Sequence, residues 1–310
     1  MQTASARVRR YSWEIGLIGI TAIWGFTFPI VKCALERCPA IKGGLGLADV
    51  THPTRPLMFL SLRFAIATVI VGAASLKALR EMTKDQFLIA CLIGAALCGG
   101  FIFQTTGLER TTASNTGFLT GMYVILTPLL GAAVLRKIPP LSTAAGAILA
   151  FAGLLLITSP SGIGLRLGDG LVLGCAVLFS VHLLLLGRFA AAVPLQALVT
   201  VQLAFTAVAT GIASAASERT GIPTEGGVWA AILITAVLAS ALAFFIQTGA
   251  QRFIPPARTA VILVMESPFA ALFGYLMLDE RLGMRGWTGA ALIVAGLLVA
   301  ELFAPEREAL

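Results

Sequence analysis

The stretch GAILAFAGLLLI at residues 146–157 returns as GAALIVAGLLVA at residues 289–300. Seven of the twelve positions are identical, including both glycines of a G-x6-G spacing. Two more pairs accompany it. FQTTGLER (103–110) parallels FIQTGAQR (245–252), and VILTPLLGA (124–132) parallels LVMESPFAA (263–271) about its proline. Apolar segments resemble one another by chance, so one match decides little. Three matches in the same order predict a duplicated chain, with halves 1–158 and 159–310 meeting near SPSGIGLR (159–166).

The units being duplicated are membrane spans. Of the 310 residues, 58% are hydrophobic and 12% are charged, with a mean hydropathy of +0.93. Soluble domains carry about 25% charge, whereas a span needs about 20 apolar residues. Ten apolar runs emerge, at about 14–35, 57–76, 87–108, 113–135, 141–157, 168–186, 195–216, 227–247, 259–278 and 286–303. They are too long and too continuous for the alternating strands of about 10 residues in a membrane β-barrel. The basic lead RVRRYSW resembles the start of a signal peptide. The apolar run behind it is long and many similar runs follow, so it is predicted to be the first span and to be retained. The predicted fold is an all-α integral membrane protein of ten transmembrane helices. Five spans per half is an odd number, so the second half must enter the membrane from the opposite side. Two inverted five-helix repeats are the architecture of secondary transporters. Exchanging the roles of the halves would turn an inward-open shape into an outward-open one around a midplane cavity.

Loop charges set the orientation. With the N-terminus inside, the inner loops hold twelve basic residues, Arg252 and Arg258 among them, and the outer loops eight. This places both termini in the cytoplasm and the protein in the cytoplasmic (inner) membrane. The net charge of +7 arises from singly scattered Lys and Arg, not from a basic stripe, so no nucleic-acid partner is expected. The longer loop at 36–56 is read as an outer loop. Its glycines follow no strand and do not make a phosphate-binding fingerprint.

The five cysteines form no Cys-x-x-Cys pair, and no metal site or cofactor is expected. Cys91 and Cys98 are read as small packing residues, and Cys33 and Cys38 as able to bridge near an outer helix end. Gly146, Gly153, Gly289 and Gly296 allow close helix approach. They are read as a seam within the molecule, with a contact between two copies (a homodimer) as the alternative.

Several segments together resemble an EamA-type transporter of the drug/metabolite transporter superfamily. They are AIWGFTFPIVK (22–32), RPLMFLSLRFAIA (55–67), TTASNTGFLTGMYVILTPLLGA (111–132), MESPFAALFGYLMLDERL (265–282) and GWTGAALIVAGLLVA (286–300). The resemblance covers nearly the whole chain. It implies ten helices, both termini cytoplasmic, and passage of small organic solutes such as amino acids. The family often has a glutamate just after the fourth span. Here LRKIPP (135–140) stands in that place, and an acid is kept only after the ninth span, at Glu280.

An ionisable group at the bilayer centre costs about 2.5–3.5 kcal/mol on insertion scales and normally faces water or a partner. Glu266 is the eighth residue of its run and Arg63 the seventh of its own. At about 1.5 Å per residue, each lies about 10 Å from a different edge of a core about 30 Å thick. The two are therefore expected to line a polar cavity from either side of the midplane and not to pair directly. Glu266 can carry a proton or meet a substrate ammonium. Pro128 and Pro268 deprive the carbonyls of Val124 and Val264 of their helical partners, so kinks are predicted there that could serve gating. Gln104, Asn115, Tyr123, His182, Gln202, Gln247 and Gln251 can orient a zwitterion. Each taken singly is equally an interhelical hydrogen bond. Trp24 and Phe28 share one face of the first span and either line the path or pack.

These features predict a secondary-active transporter, read as an exporter of small organic metabolites and as proton-coupled. The partners are a small-molecule substrate and the lipid bilayer. A carrier of phosphorylated sugars or nucleotide sugars would want several cations in the cavity, and only Arg63 and Lys32 are available. No G-x-x-x-x-G-K-[ST] occurs, which argues against an ATP-driven pump. A polytopic membrane enzyme is the rival from another class. It would need paired carboxylates or a His cluster, and no His-x-x-x-His is present.

Overall fold

A backbone in lipid finds no water to pair with, so each apolar run must satisfy its own N–H and C=O groups as a helix. The computed structural model describes residues 2–36, 50–110, 113–135, 139–157, 167–218, 221–278 and 283–303. Within them the chain forms α1 (Gln2–Leu35), α2 (Pro56–Ala73), α3 (Lys84–Leu108), α4a (Ala113–Gly121), α4b (Tyr123–Leu135) and α5 (Leu141–Ile157). Then come α6 (Leu167–Phe189), α7 (Leu195–Ser217), α8a (Gly226–Ile234), a π-helical stretch (Thr235–Leu242) and α8b (Ala243–Ala250). The chain ends with α9a (Pro256–Leu263), α9b (Glu266–Leu278) and α10 (Met284–Leu302). Seven of these helical stretches are long and apolar enough to cross a membrane. Leu119–Val134, Leu141–Leu156 and Met284–Ala300 are shorter apolar helices.

Local chemistry sets the boundaries. Pro56 and Pro256 open their helices at the position where a missing N–H costs nothing. Thr83 and Gln86 close a capping box at the start of α3, each side chain meeting the other's backbone N–H. Large apolar side chains such as Ile15, Val69, Val134, Ile148 and Ile212 stand exposed. A water-soluble protein would bury them; a lipid-embedded one presents them to acyl chains.

Helix α5 packs more extensively against α10 than any other pair, followed by α2 on α7 and α3 on α6. The main contacts recur when the halves are exchanged. The packing of α1 on α9b is matched by α6 on α4a and α4b, and that of α3 on α6 by α8b on α1. The α5–α10 seam explains the repeated glycines. A Cβ on Gly146 would lie 2.5 Å from the Gly296 carbonyl oxygen, and one on Gly153 would lie 2.5 Å from that of Gly289. The order is reversed, so these two equivalent helices run antiparallel, backbone against backbone.

The helices that carry Pro128 and Pro268 are both broken ahead of the proline, whereas α1 runs unbroken past Pro29. In the first half the break is at Met122, between α4a and α4b; in the second it spans Val264 and Met265. The Val264 carbonyl, left without a partner by Pro268, accepts instead from the Ser267 N–H at 3.0 Å. Arg258, counted above among the inner-loop charges, is buried in α9a and pairs with the buried Glu14 at 3.1 Å. Cys33 is disulfide-bonded, whereas Cys91, Cys98 and Cys175 are free. Cys38, Glu280 and most of the 36–56 loop lie outside the described residues.

Candidate substrate cavity

The helices converge on a narrow cavity of about 80 Å³. Of the residues singled out by sequence, Trp24, Phe28, Arg63, Gln104, Tyr123, His182, Gln247 and Glu266 line it. Asn115 lies in α4a, but its side chain is outside the described set. Gln202 and Gln251 are buried behind the lining, Lys32 does not contribute to it, and Pro128 and Pro268 stand in the broken helices.

Arg63 is held on three sides. Its Nε donates to Ser240 Oγ at 2.7 Å and its Nη2 to the Ala239 carbonyl at 3.2 Å. The guanidinium lies 5.3 Å from the Phe64 ring centre and 5.1 Å from that of Phe101. The Ala239 carbonyl also accepts from Trp24 Nε1 at 2.9 Å. It can serve both because it lies in the π-helical stretch, where widened hydrogen bonding breaks the regular ladder. That turn therefore fixes two cavity residues at once. It was illegible in the sequence, since TAVLASAL (235–242) carries neither Gly nor Pro to mark an irregularity.

Glu266 is the first residue of α9b, so the positive end of a helix dipole meets its carboxylate. Glu266 and Arg63 both line the cavity, and no ion pair joins them among the described residues. The rest of the lining is aromatic with polar points. Phe101 meets Phe179 and Phe244 edge-on at 5.3 and 5.9 Å. Gln104 donates to Thr120 at 3.2 Å. Gln247 is 3% exposed, and its Oε1 has no hydrogen-bond partner among the described residues. Phe101, Phe179, Phe244 and Thr27 were missed by sequence reasoning because apolar spans hold many such residues. Their equivalence across the repeat is the signal that could have found them.

The repeat can be followed through the lining. In equal register, Glu14, Gly19, Trp24, Thr27 and Phe28 of α1 correspond to Asp169, Gly174, Phe179, His182 and Leu183 of α6, with closely matching burial. Arg63 of α2 corresponds in the same way to Gln202 of α7. Past the π-helical stretch the burial pattern shifts by one residue from the alignment of FQTTGLER with FIQTGAQR, and it pairs Phe101, Gln104, Thr105 and Leu108 with Phe244, Gln247, Thr248 and Gln251. Aligning the two prolines pairs Tyr123 with Leu263, and Leu126 with Glu266.

The two ends of the cavity differ. It reaches Val31 and Leu108, in the last turns of α1 and α3. At the opposite, Glu14 face it stops at His182, Leu183 and Gln247. Beyond them, Gln202 bridges His182 and Thr248, each at 3.0 Å, and Gln251 Nε2 donates to the Leu183 carbonyl at 3.0 Å. The Glu14–Arg258 pair and the Trp13–Phe253 stack close that face. Arg252, beside them, donates to the Val193 carbonyl, and partial burial lowers its pKa. On the Leu108 face, Glu225 accepts from the Thr51 hydroxyl and from the Thr51 and His52 N–H groups. The Thr51 hydroxyl, helped by those N–H groups, holds the Glu225 carboxyl below its usual pKa. Glu218 accepts from the Leu57 and Met58 N–H groups at the start of α2.

The model of the EamA-like transporter family matches residues 48–159 and again residues 166–302. The chain belongs to the EamA-like transporter family. It is 30% identical over 301 residues to an uncharacterized transporter of Archaeoglobus fulgidus, covering 97% of this chain and 89% of that one. A crystal structure of 20% identity superposes with a TM-score of 0.71, covering 93% of this chain and 96% of the other, and shows likeness of fold. The EamA-like protein is thus a multi-pass membrane transporter, as its segments suggested.

Proposed function

We propose that this EamA-like protein is a secondary-active exporter of small organic metabolites carrying both an ammonium and a carboxylate, amino acids among them. Alternating access exposes the cavity to one side of the membrane at a time. The observation that carries the reading is the lining of one aromatic cavity by a cation and an acid that do not pair. Arg63 is anchored through Nε and Nη2, which leaves its Nη1 edge for a carboxylate. Glu266, at a helix start, receives the ammonium or, between solutes, a proton. Gln247 offers an acceptor to the same solute.

In this reading ten helices span the membrane as inverted repeats 1–158 and 159–310. Support comes from the antiparallel α5–α10 seam and from contacts that persist when the halves are exchanged. Both termini lie in the cytoplasm and the Leu108 face lies outside the inner membrane. The disulfide at Cys33, near the Leu35 end of α1, belongs on an oxidising side.

The test is flux of a panel of amino acids, amines and organic acids in proteoliposomes, with and without an imposed pH gradient. Gradient-dependent flux of zwitterions that vanishes in Glu266→Gln is expected. Flux of organic acids or amines alone, or a Glu266→Gln variant with unchanged rate and pH dependence, would sink the assignment.

A further inference from the structure

The cavity takes unequal shares from the two halves. Arg63, Thr105 and Leu108 of the first half line it, but their counterparts Gln202, Thr248 and Gln251 do not. Those three are instead buried in the seam that closes the Glu14 face. They are an odd choice for a seal between membrane helices, where apolar side chains pack without polar cost. The seam is also incompletely satisfied. The Oε1 atom of Gln251 within it, like that of Gln247 at its edge with the cavity, is buried with no hydrogen-bond partner among the described residues. A seam that stayed dry would keep these acceptors desolvated, whereas water entering it would satisfy them.

We propose that Gln202, Thr248 and Gln251 form the second vestibule of the pathway, opening to the Glu14 face when the Leu108 face closes. In that state they do for the second half what Arg63, Thr105 and Leu108 do here. The exit route is then lined by neutral amides and a hydroxyl, with no fixed charge among the three. A solute bearing both charges would leave its Arg63 contact for groups that hydrogen-bond without holding it. The proposal rests on the alternating-access reading above.

The test uses the full chain with Cys91, Cys98 and Cys175 replaced by alanine, reconstituted in liposomes in one orientation. Thr105→Cys, Leu108→Cys, Thr248→Cys and Gln251→Cys are each exposed to a membrane-impermeant cationic methanethiosulfonate from one side at a time. Val199→Cys, in the apolar core, sets the unreactive baseline. Thr105→Cys and Leu108→Cys are expected to react from the Leu108 side only, and Thr248→Cys and Gln251→Cys from the Glu14 side only. Access through a minor state populated at about 1–10% would give about a hundredth to a tenth of the rate at an exposed thiol, well above the baseline. If Thr248→Cys and Gln251→Cys stay at baseline from both sides while the other two react, the second vestibule is refuted and the cavity stands. Reaction of Thr248→Cys or Gln251→Cys from the Leu108 side refutes it as well. If all four stay at baseline, the cavity reading falls with it. Should Gln251→Cys fail to fold, Leu186→Cys, the counterpart of the lining residue Val31, takes its place.

Discussion

Arg63 shows why a charge inside lipid must be held to be useful. Its Nε and Nη2 contacts demand the planar fork of a guanidinium, which an ammonium does not supply. Arg63→Lys is therefore expected to keep the fold and lose most zwitterion flux in proteoliposomes. Ser240→Ala removes one hydrogen bond to a charged group, worth about 1.5–3 kcal/mol, and is expected to raise KM more than it lowers kcat. Glu14 and Arg258 illustrate the opposite use of charge, as structure. Removing either partner leaves the other buried and costs about 3–5 kcal/mol, whereas replacing both with apolar residues recovers most of the loss. Unfolding of Glu14→Gln, Arg258→Met and Glu14→Leu/Arg258→Met in detergent measures this. A double variant no more stable than the singles would contradict it.

Among the elements, the α5–α10 seam has the least room. Gly146→Val puts a side chain where a carbonyl oxygen lies 2.5 Å from the ideal Cβ, so the helices must separate. The expected cost is about 1–3 kcal/mol, read from the unfolding midpoint. Gly19→Ala meets nothing within 4 Å and, in mid-helix, should stabilise by about 0.5–1 kcal/mol. The tie from Glu225 to Thr51 and His52 is an element-scale contact that responds to pH. Its folded pKa is depressed, so its stabilising effect is present above the ordinary value of 4.5 and is lost as pH falls through the lower folded value. Hydrogen exchange at the Thr51 and His52 amides should accelerate across that acid window. In Glu225→Gln the pH response should disappear. An acid response that persists in that variant would assign it to another group.

At the scale of the whole molecule, the two halves share a scaffold but not a chemistry. Trp24 and Phe179, or Gln104 and Gln247, are like for like across the repeat, whereas Arg63 faces Gln202 and Glu266 faces Leu126 in the same comparison. A symmetric frame can exchange its two shapes, and an asymmetric pair of charges gives one shape a different hold on the solute. The orientation proposed above is tested by labelling His52→Cys, which stands exposed on the Leu108 face, with Cys91, Cys98 and Cys175 replaced by alanine. An impermeant reagent should reach it from outside intact cells, and labelling only after lysis would reverse the topology.

Much of this was legible in the sequence because lipid is a severe solvent. Continuous apolar runs have no choice but helix, and the repeated GAILAFAGLLLI motif, the two prolines and the stranded charges at Arg63 and Glu266 all stand out against them. The sequence by itself determined the helical membrane fold and the family, and named eight residues that line the cavity. Tertiary structure alone decided that Arg258 is buried against Glu14, that a π-helical turn presents the Ala239 carbonyl to both Trp24 and Arg63, and which end of the cavity is shut. The physical reason is one of range. Solvent preference and backbone geometry act on neighbours along the chain. A buried ion pair, an irregular turn and a closed seam exist only when segments far apart in sequence meet.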